Sequence, residues 1–379
     1  MMIEPLHALD HIRRSFNSAT SRADRSQIGQ FLTPAAIAQF MSAMFETDLQ
    51  AVRILDPGAG AGVLFAACVE TILSGKNRPL SIEVVAYETD NAILPYLEET
   101  MKRYQSLCLS DGIAFHGTIK DEDFVSAALA ETRDSLFAVP GGRFTHVILN
   151  PPYKKINSQT PISRMLYAAD IEVANLYAVF VWLSIWLLES GGQMVAITPR
   201  SFCNGPYFRK FRVAFLRNMS LKRIHLFGSR RKAFGDDEVL QENIIYHAVR
   251  EPQKPKAITI SMSDCLEFDK TRSLSVPYSR VVHPGDRDMY VHLAVDDAYG
   301  SQAGRIEYFT SSLSELDISV STGRVVDFRA REHLRQTPEY ETVPLIYPCH
   351  FLNGFIDWPV NSGKKPNAIV SSSKTSDLL

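Results

Sequence analysis

The residues richest in chemistry are Asn150-Pro151-Pro152-Tyr153, which follow the apolar run Val147-Ile148-Leu149. Two consecutive prolines fix φ and supply no ladder donors, so they end a strand in a rigid turn. From such a turn the Asn150 side-chain carbonyl and the Pro151 backbone carbonyl can each accept one N–H of an exocyclic amine. That nitrogen is a poor nucleophile while its lone pair is delocalised into a ring. Held by two acceptors it moves toward sp³, and its lone pair can attack an electrophilic carbon in line, with proximity and oriented dipoles supplying the rate. Tyr153 adds a ring that can stack on a flat substrate. A purely structural turn at a strand end is the alternative reading.

A second group lies upstream, at Asp56-Pro57-Gly58-Ala59-Gly60-Ala61-Gly62. Glycines let the backbone approach a ligand and adopt positive φ, and the helix that follows presents free N–H groups. Dinucleotide enzymes share such a turn. An acidic residue ahead of the glycines suits an ammonium and repels a pyrophosphate, and the Walker lysine is missing. The turn therefore points to S-adenosylmethionine, with Asp56, Pro57, Gly58, Ala59 and Gly60 as contacts. Glu88, with Thr89 beside it, stands at the tip of the next strand and is placed to accept both ribose hydroxyls; a solvated glutamate opening a loop is its alternative. After the third strand, Asp123 offers an acceptor to the cofactor's adenine amine and Phe124 an apolar wall. Asp121 is the rival acceptor, and an acidic helix cap is the structural alternative.

These groups need a scaffold that brings strand ends together. The pattern predicts helices over 34–45, 60–73, 90–107, 173–188 and 206–218, the first opened by a Thr33-Pro34 cap. Strands are expected at 52–56, 82–87, 113–116, 144–149, 193–198, 221–227, 241–249 and 257–262. Strands alternating with helices of this length make a doubly wound α/β fold on a mainly parallel sheet. The run 173–188 is nearly all apolar, but it is shorter than the roughly 20 residues of a bilayer span. It reads as a buried helix ended by Gly191-Gly192, and no membrane partner is expected.

From about Ser263 proline, serine and aspartate become frequent, and only short strand-like pieces remain, at 318–321 and 345–347. The expected organisation is a catalytic domain over 1–265, with an N-terminal helical cofactor segment at 1–48, and a smaller irregular region over 266–379.

The chain of 379 residues carries 40 basic and 42 acidic side chains, so its mean charge names no polyanionic partner. Distribution matters more. Arg200, Arg209, Lys210, Arg212, Arg230, Arg231 and Lys232 fall in a stretch with no Asp or Glu, and they form the expected contact to a nucleic-acid backbone, against a solvated helix face as the alternative. A base inside a duplex cannot reach an Asn-Pro-Pro-Tyr pocket unless it is turned out of the stack. Phe234 is then a second stacking wall beside Tyr153, or else a core aromatic. Five cysteines without a C-x-x-C pair suggest neither disulfide framework nor metal site, and a reducing cytoplasm is the default location.

Together these residues resemble the γ-class N6-adenine DNA methyltransferases of bacterial restriction–modification systems, over about residues 25 to 250. Gly29-Gln30-Phe31-Leu32-Thr33-Pro34 is similar to their N-terminal motif, Asp56 through Gly62 to their glycine motif, and Asn150 through Tyr153 to their catalytic one. Asn175-Leu176-Tyr177 before the apolar helix resembles the next motif. The resemblance implies a seven-stranded S-adenosylmethionine-dependent methyltransferase sheet. It also implies cofactor contacts from Gln30, Phe31, Thr33, Pro34 and Asn150, and an extruded adenine stacked by Tyr153 and Phe234. Its implied partners are double-stranded DNA and a cognate restriction endonuclease. The segments 321–326 and 344–348 resemble the start of a target-recognition region that runs further in longer members, so a partial or reduced reader is expected. Rival readings are a protein-glutamine or RNA-amine methyltransferase with the same loop, and a non-catalytic DNA-binding subunit.

Overall fold

The computed structural model describes residues 6, 9–13, 32–46, 48–134, 143–156, 163, 164, 166, 173, 175–227, 242–263, 268, 271–293, 311, 313–321, 323–360 and 363–379. They fall into two compact units, Met1–Gly300 and Ser301–Leu379.

The first unit is built on a nine-stranded sheet. Its strands are β1 (Ala51–Pro57), β2 (Ser81–Tyr87), β3 (Ala114–Lys120), β4 (Phe144–Leu149), β5 (Leu188–Pro199), β6 (Ser220–Phe227), β7 (Asn243–Val249), β8 (Ala257–Ser263) and β9 (Arg272–Pro277). Their order is β3-β2-β1-β4-β5-β7-β6-β8-β9. Strands β1 to β5 run parallel, and β7 is antiparallel to both its neighbours. The expected seven strands stand in the order β3 to β6, and β8 and β9 extend that edge. Strand β9 is short and mostly exposed, and its Ser273-Leu274-Ser275-Val276 alternation leaves Leu274 unburied at the sheet edge. It belongs to the first unit although it lies beyond residue 265.

Successive strand residues point to opposite faces, and here both faces are covered. Ile54, Val84, Ile148 and Ile245 pack under α1 (Ala35–Ser42), α2 (Val63–Ser74) and α3 (Leu94–Ser110). Leu55, Val85, Val147 and Leu149 pack under α4 (Phe124–Asp134), α5 (Leu176–Leu187) and α6 (Arg209–Asn218). Strands buried on both sides read as continuous apolar runs, as these do. Among the described residues no helix is long and apolar enough to cross a membrane. Helix α5 ends at Leu187, four residues before Gly191, and the glycine pair lies inside β5, where the register against β4 shifts.

Register sets the site. Pro57 is level with Tyr87 on β2, and Leu55 with Val147 on β4. The turns that follow β1, β2 and β4 therefore leave the same edge of the sheet side by side. The chain order reverses between β1 and β4, which is where open α/β sheets form a crevice at their C-terminal ends.

In the second unit Leu334–Arg335 (β10) and Thr342–Pro344 (β11) flank Ala368–Val370 (β14), and Phe351–Leu352 (β12) pairs with Phe355–Ile356 (β13). The expected strands at 318–321 and 345–347 carry no ladder. Ile318 and Val320 are exposed, so the alternation that suggested a strand had no facing layer to bury it.

Candidate active site

These three turns, the one after β3 and the segment before α1 enclose a cavity of about 460 Å³, within the size range of small-ligand sites. Thr33, Gly58, Ala59, Gly60, Glu88, Thr89, Asp123, Phe124, Asn150 and Pro152 all line it, which joins residues singled out from five separate stretches of sequence. Tyr87, Asp90, Glu122, Leu176 and Phe180 line it too. Sequence reasoning missed these because Tyr87 and Phe180 look like core residues and the acids like solvated ones.

The glycine turn is shaped by backbone conformation. Gly58, Gly60 and Gly62 have φ of 82°, 55° and 85°, values that favour glycine. A Cβ on Gly60 would lie 2.7 Å from Leu32 Cδ2, and one on Gly62 would lie 2.4 Å from Phe65. The turn is pinned from β2: the Gly58 and Ala59 N–H groups donate to the Tyr87 carbonyl at 2.9 and 2.8 Å. Glu88, nearly buried, accepts the Gly60 N–H on Oε2 and the Thr89 and Asp90 N–H groups on Oε1, each at 2.8 Å. This side chain therefore builds the cavity as well as lining it.

Asp123 lines the cavity and also accepts the Ser126 N–H and hydroxyl at 2.8 and 2.7 Å, so it caps α4 while facing the site. Phe124 contacts the rings of Tyr87 and Phe180 at centroid distances of 5.2 and 5.0 Å and supplies the apolar wall. Burying such a side chain contributes roughly 1.5–3 kcal/mol, which fixes the cavity floor to the core.

Asn150 sits on the opposite side. Its Nδ2 donates to Thr33 Oγ1 at 3.0 Å, and its Oδ1 accepts the Tyr153 hydroxyl at 2.9 Å. The phenol also reaches the Ile197 carbonyl at 3.3 Å, and burial pushes its pKa up. Thr33 was expected to cap the first helix. The cap residue of α1 is Pro34, without a side-chain cap bond, because the threonine hydroxyl is turned to Asn150.

Other expectations need correction. Asp56, anticipated as a partner for a ligand ammonium, is fully buried and does not line the cavity; neither does Pro57. Its Oδ2 accepts the Phe65 N–H at 3.2 Å, inside the first turn of α2. Burial raises its pKa to about 8, against the Phe65 hydrogen bond and with help from the Glu88 charge. The positive-φ turn carries the chain back over Asp56 and leaves it beneath the helix. Pro34, Pro151 and Tyr153 are not among the residues that line this cavity.

The basic stretch is less uniform than its sequence. Arg212 is fully buried and donates from Nε to the Asp288 carbonyl at 2.9 Å, and from Nη1 to the Phe202 and Gly205 carbonyls at 3.0 and 2.6 Å. Its guanidinium lies 4.7 Å from the Tyr290 ring centroid. It joins chain segments and cannot meet a backbone phosphate. Arg209 pairs with Asp288 at 3.0 Å and Arg200 with Glu242 at 2.5 Å, while Lys210 is exposed on α6. The acids missing from the local sequence arrive from Glu242, just before β7, and from Asp288 in the segment after β9. Gln30, Phe31, Arg230, Arg231, Lys232 and Phe234 lie outside the described residues.

Comparisons with known proteins concern the family and the fold. The family description "Eco57I restriction-modification methylase" matches residues 81–234. Type II methyltransferase M.BsuBI of Bacillus subtilis is 40% identical over 100% of this chain and 74% of its own length. Type II methyltransferase M.PstI of Providencia stuartii is 37% identical over 98% of this chain and 72% of its own. A chain from a solved type I R-M system has a TM-score of 0.53 at 13% identity, covering 76% of this chain and 65% of that one, a likeness of fold. With its cavity built from four strand ends and its sequence matched end to end by type II enzymes, the chain belongs to the Eco57I family of restriction–modification methylases.

Proposed function

We propose that the chain transfers a methyl group from S-adenosylmethionine to the exocyclic N6 of adenine in double-stranded DNA, after the base has left the duplex. The observation that carries this reading is the position of the Asn150 amide, on the wall of the cavity that the glycine turn and Glu88 also line. The residues fit the cofactor: a turn with positive φ at Gly58 and Gly60 lines the cavity, and a Cβ at Gly60 would collide with Leu32, which lines it too. When bound, the cofactor supplies an electrophilic methyl on a positively charged sulfur.

The chain's own residues do the rest. Gly58, Ala59 and Gly60 bring backbone against the ligand. Glu88 retains one acceptor site toward a ribose hydroxyl, since a carboxylate takes about four hydrogen bonds and three are used internally. Asp123 and Phe124 hold the flat end of the cofactor. Asn150 Oδ1 and the Pro151 carbonyl accept the two N–H bonds of the target amine and aim its lone pair, and Tyr153 with Phe234 stacks the base. Arg200, Arg209, Lys210, Arg230, Arg231 and Lys232 contact phosphates, residues 266–379 read the sequence, and a cognate endonuclease acts at the same DNA site.

Incubating the protein with methyl-labelled S-adenosylmethionine and DNA, RNA or protein acceptors tests the reading. The expected product is N6-methyladenine in DNA, with Asn150→Ala retaining cofactor binding and losing transfer. Label on glutamine or RNA, or full activity of Asn150→Ala, would overturn it.

A further inference from the structure

We infer that Thr33 is a positioning residue for the transfer step, acting through the Asn150 amide. This rests on the reading of Asn150 as the amine acceptor and goes beyond it. Among the cavity-lining residues, Thr33 and Asn150 stand 117 positions apart in the sequence, yet they meet through a 3.0 Å hydrogen bond from Nδ2 to Oγ1. Thr33 is 5% exposed, and its hydroxyl is not spent on capping α1. Its partner across the amide is Tyr153, whose hydroxyl donates to Oδ1 at 2.9 Å. The carboxamide is therefore held at both ends, nitrogen by Thr33 and oxygen by Tyr153.

The consequence follows from what an amide can do. Only its oxygen accepts; its nitrogen donates and would repel an amine N–H. A half-turn about the terminal torsion exchanges the two, and that torsion is soft for asparagine. With the nitrogen engaged at Thr33, the oxygen is kept in one place and oriented before the substrate arrives, so no reorganisation is needed at the moment of transfer. Thr33 stands on the segment that leads into α1, and α1 packs on α2 and β5, with Ala35, Ile37, Ala38 and Met41 in the core. The hydroxyl is thus anchored to the same core that carries the glycine turn.

Three measurements on Thr33→Val and Thr33→Ser test this. Calorimetry gives the affinity for S-adenosylmethionine, single-turnover kinetics the methyl-transfer rate, and the nitrogen-15 spectrum the Asn150 side-chain amide, assigned by its loss in Asn150→Ala. Thr33→Val is expected to bind S-adenosylmethionine within about threefold of the parent and to transfer roughly 10- to 100-fold more slowly, the range for a misplaced reacting group. Its Asn150 amide resonances should shift. Thr33→Ser, which keeps the hydroxyl, should restore both rate and resonances. An unchanged rate in Thr33→Val while Asn150→Ala is inactive would overturn the positioning role and leave the proposed function standing. A loss confined to S-adenosylmethionine affinity would also overturn it, making Thr33 a cofactor contact. Full activity of Asn150→Ala would instead remove the proposed function itself.

Discussion

Glu88 Oε2 accepts the Gly60 N–H at 2.8 Å, so a carboxylate at the tip of β2 closes the glycine turn that follows β1. A single side chain thus ties together two of the four strand ends that form the cavity. Replacing it by glutamine sets an NH₂ group against one or more backbone N–H donors. Hydrogen bonds to charged groups contribute about 1.5–3 kcal/mol. Glu88→Gln should therefore lower the melting temperature and weaken S-adenosylmethionine binding at least tenfold by calorimetry. A weakened affinity with an unchanged melt would make Glu88 a ligand contact without a role in building the turn.

Gly60→Ala and Gly112→Ala form an informative pair. Both glycines have positive φ, at 55° and 75°, so each substitution carries a left-handed strain of roughly 1–2 kcal/mol. Only the alanine at Gly60 meets a neighbour, 2.7 Å from Leu32 Cδ2, whereas nothing lies within 4 Å at Gly112. Both variants should melt earlier. Cofactor affinity should fall in Gly60→Ala alone, and an equal loss in both would show that the effect travels through global stability.

Arg212 should behave as a structural residue. Its removal leaves three carbonyls without their donor in a buried setting, at about 1–3 kcal/mol for a group left unsatisfied. Arg212→Met is therefore expected to unfold at much lower denaturant concentration. The salt dependence of DNA binding should be unchanged in any folded fraction. Arg209→Ala with Lys210→Ala should do the reverse, sparing stability and flattening the salt slope. A changed slope in Arg212→Met would contradict the burial.

The pH dependence of stability carries the mark of Asp56. Its folded pKa is raised to about 8, while the unfolded carboxyl ionises near 3.8. The folded chain therefore holds a proton that the unfolded chain releases, and stability falls as pH rises through this interval. Buried His146 and His247 are lowered to about 4 and about 3 by desolvation first. They add stability as pH rises toward 6.5 and level off above it. Between pH 6.5 and 8 the Asp56 effect should stand alone, at no more than about 1.4 kcal/mol per pH unit. Asp56→Asn should flatten that slope in urea melts, and a persisting slope would place its origin elsewhere.

Local sequence was enough for the scaffold's main strands and for most of the cavity. Apolar runs of strand length, glycines before a helix and prolines after a strand act through φ, ψ and burial, which are properties of short segments. Gly58, Gly60, Glu88, Asp123 and Asn150 were legible for that reason. Strand β9 and the fate of 318–321 were not, because polar edges and exposed alternations look alike until a facing layer is present or absent.

What the sequence by itself determined is therefore the set of turns and the residue types at their tips. Tertiary structure decided what each side chain faces. The register of β1 against β2 and β4 put three turns on one edge, so that Thr33 reached Asn150 across 117 positions. The same packing brought Asp288 and Glu242 to a stretch that looked purely basic, and it buried Arg212 and Asp56. Hydrogen bonds and charges act through space over a few ångströms, and in a folded chain the nearest partner in space is seldom the nearest in sequence.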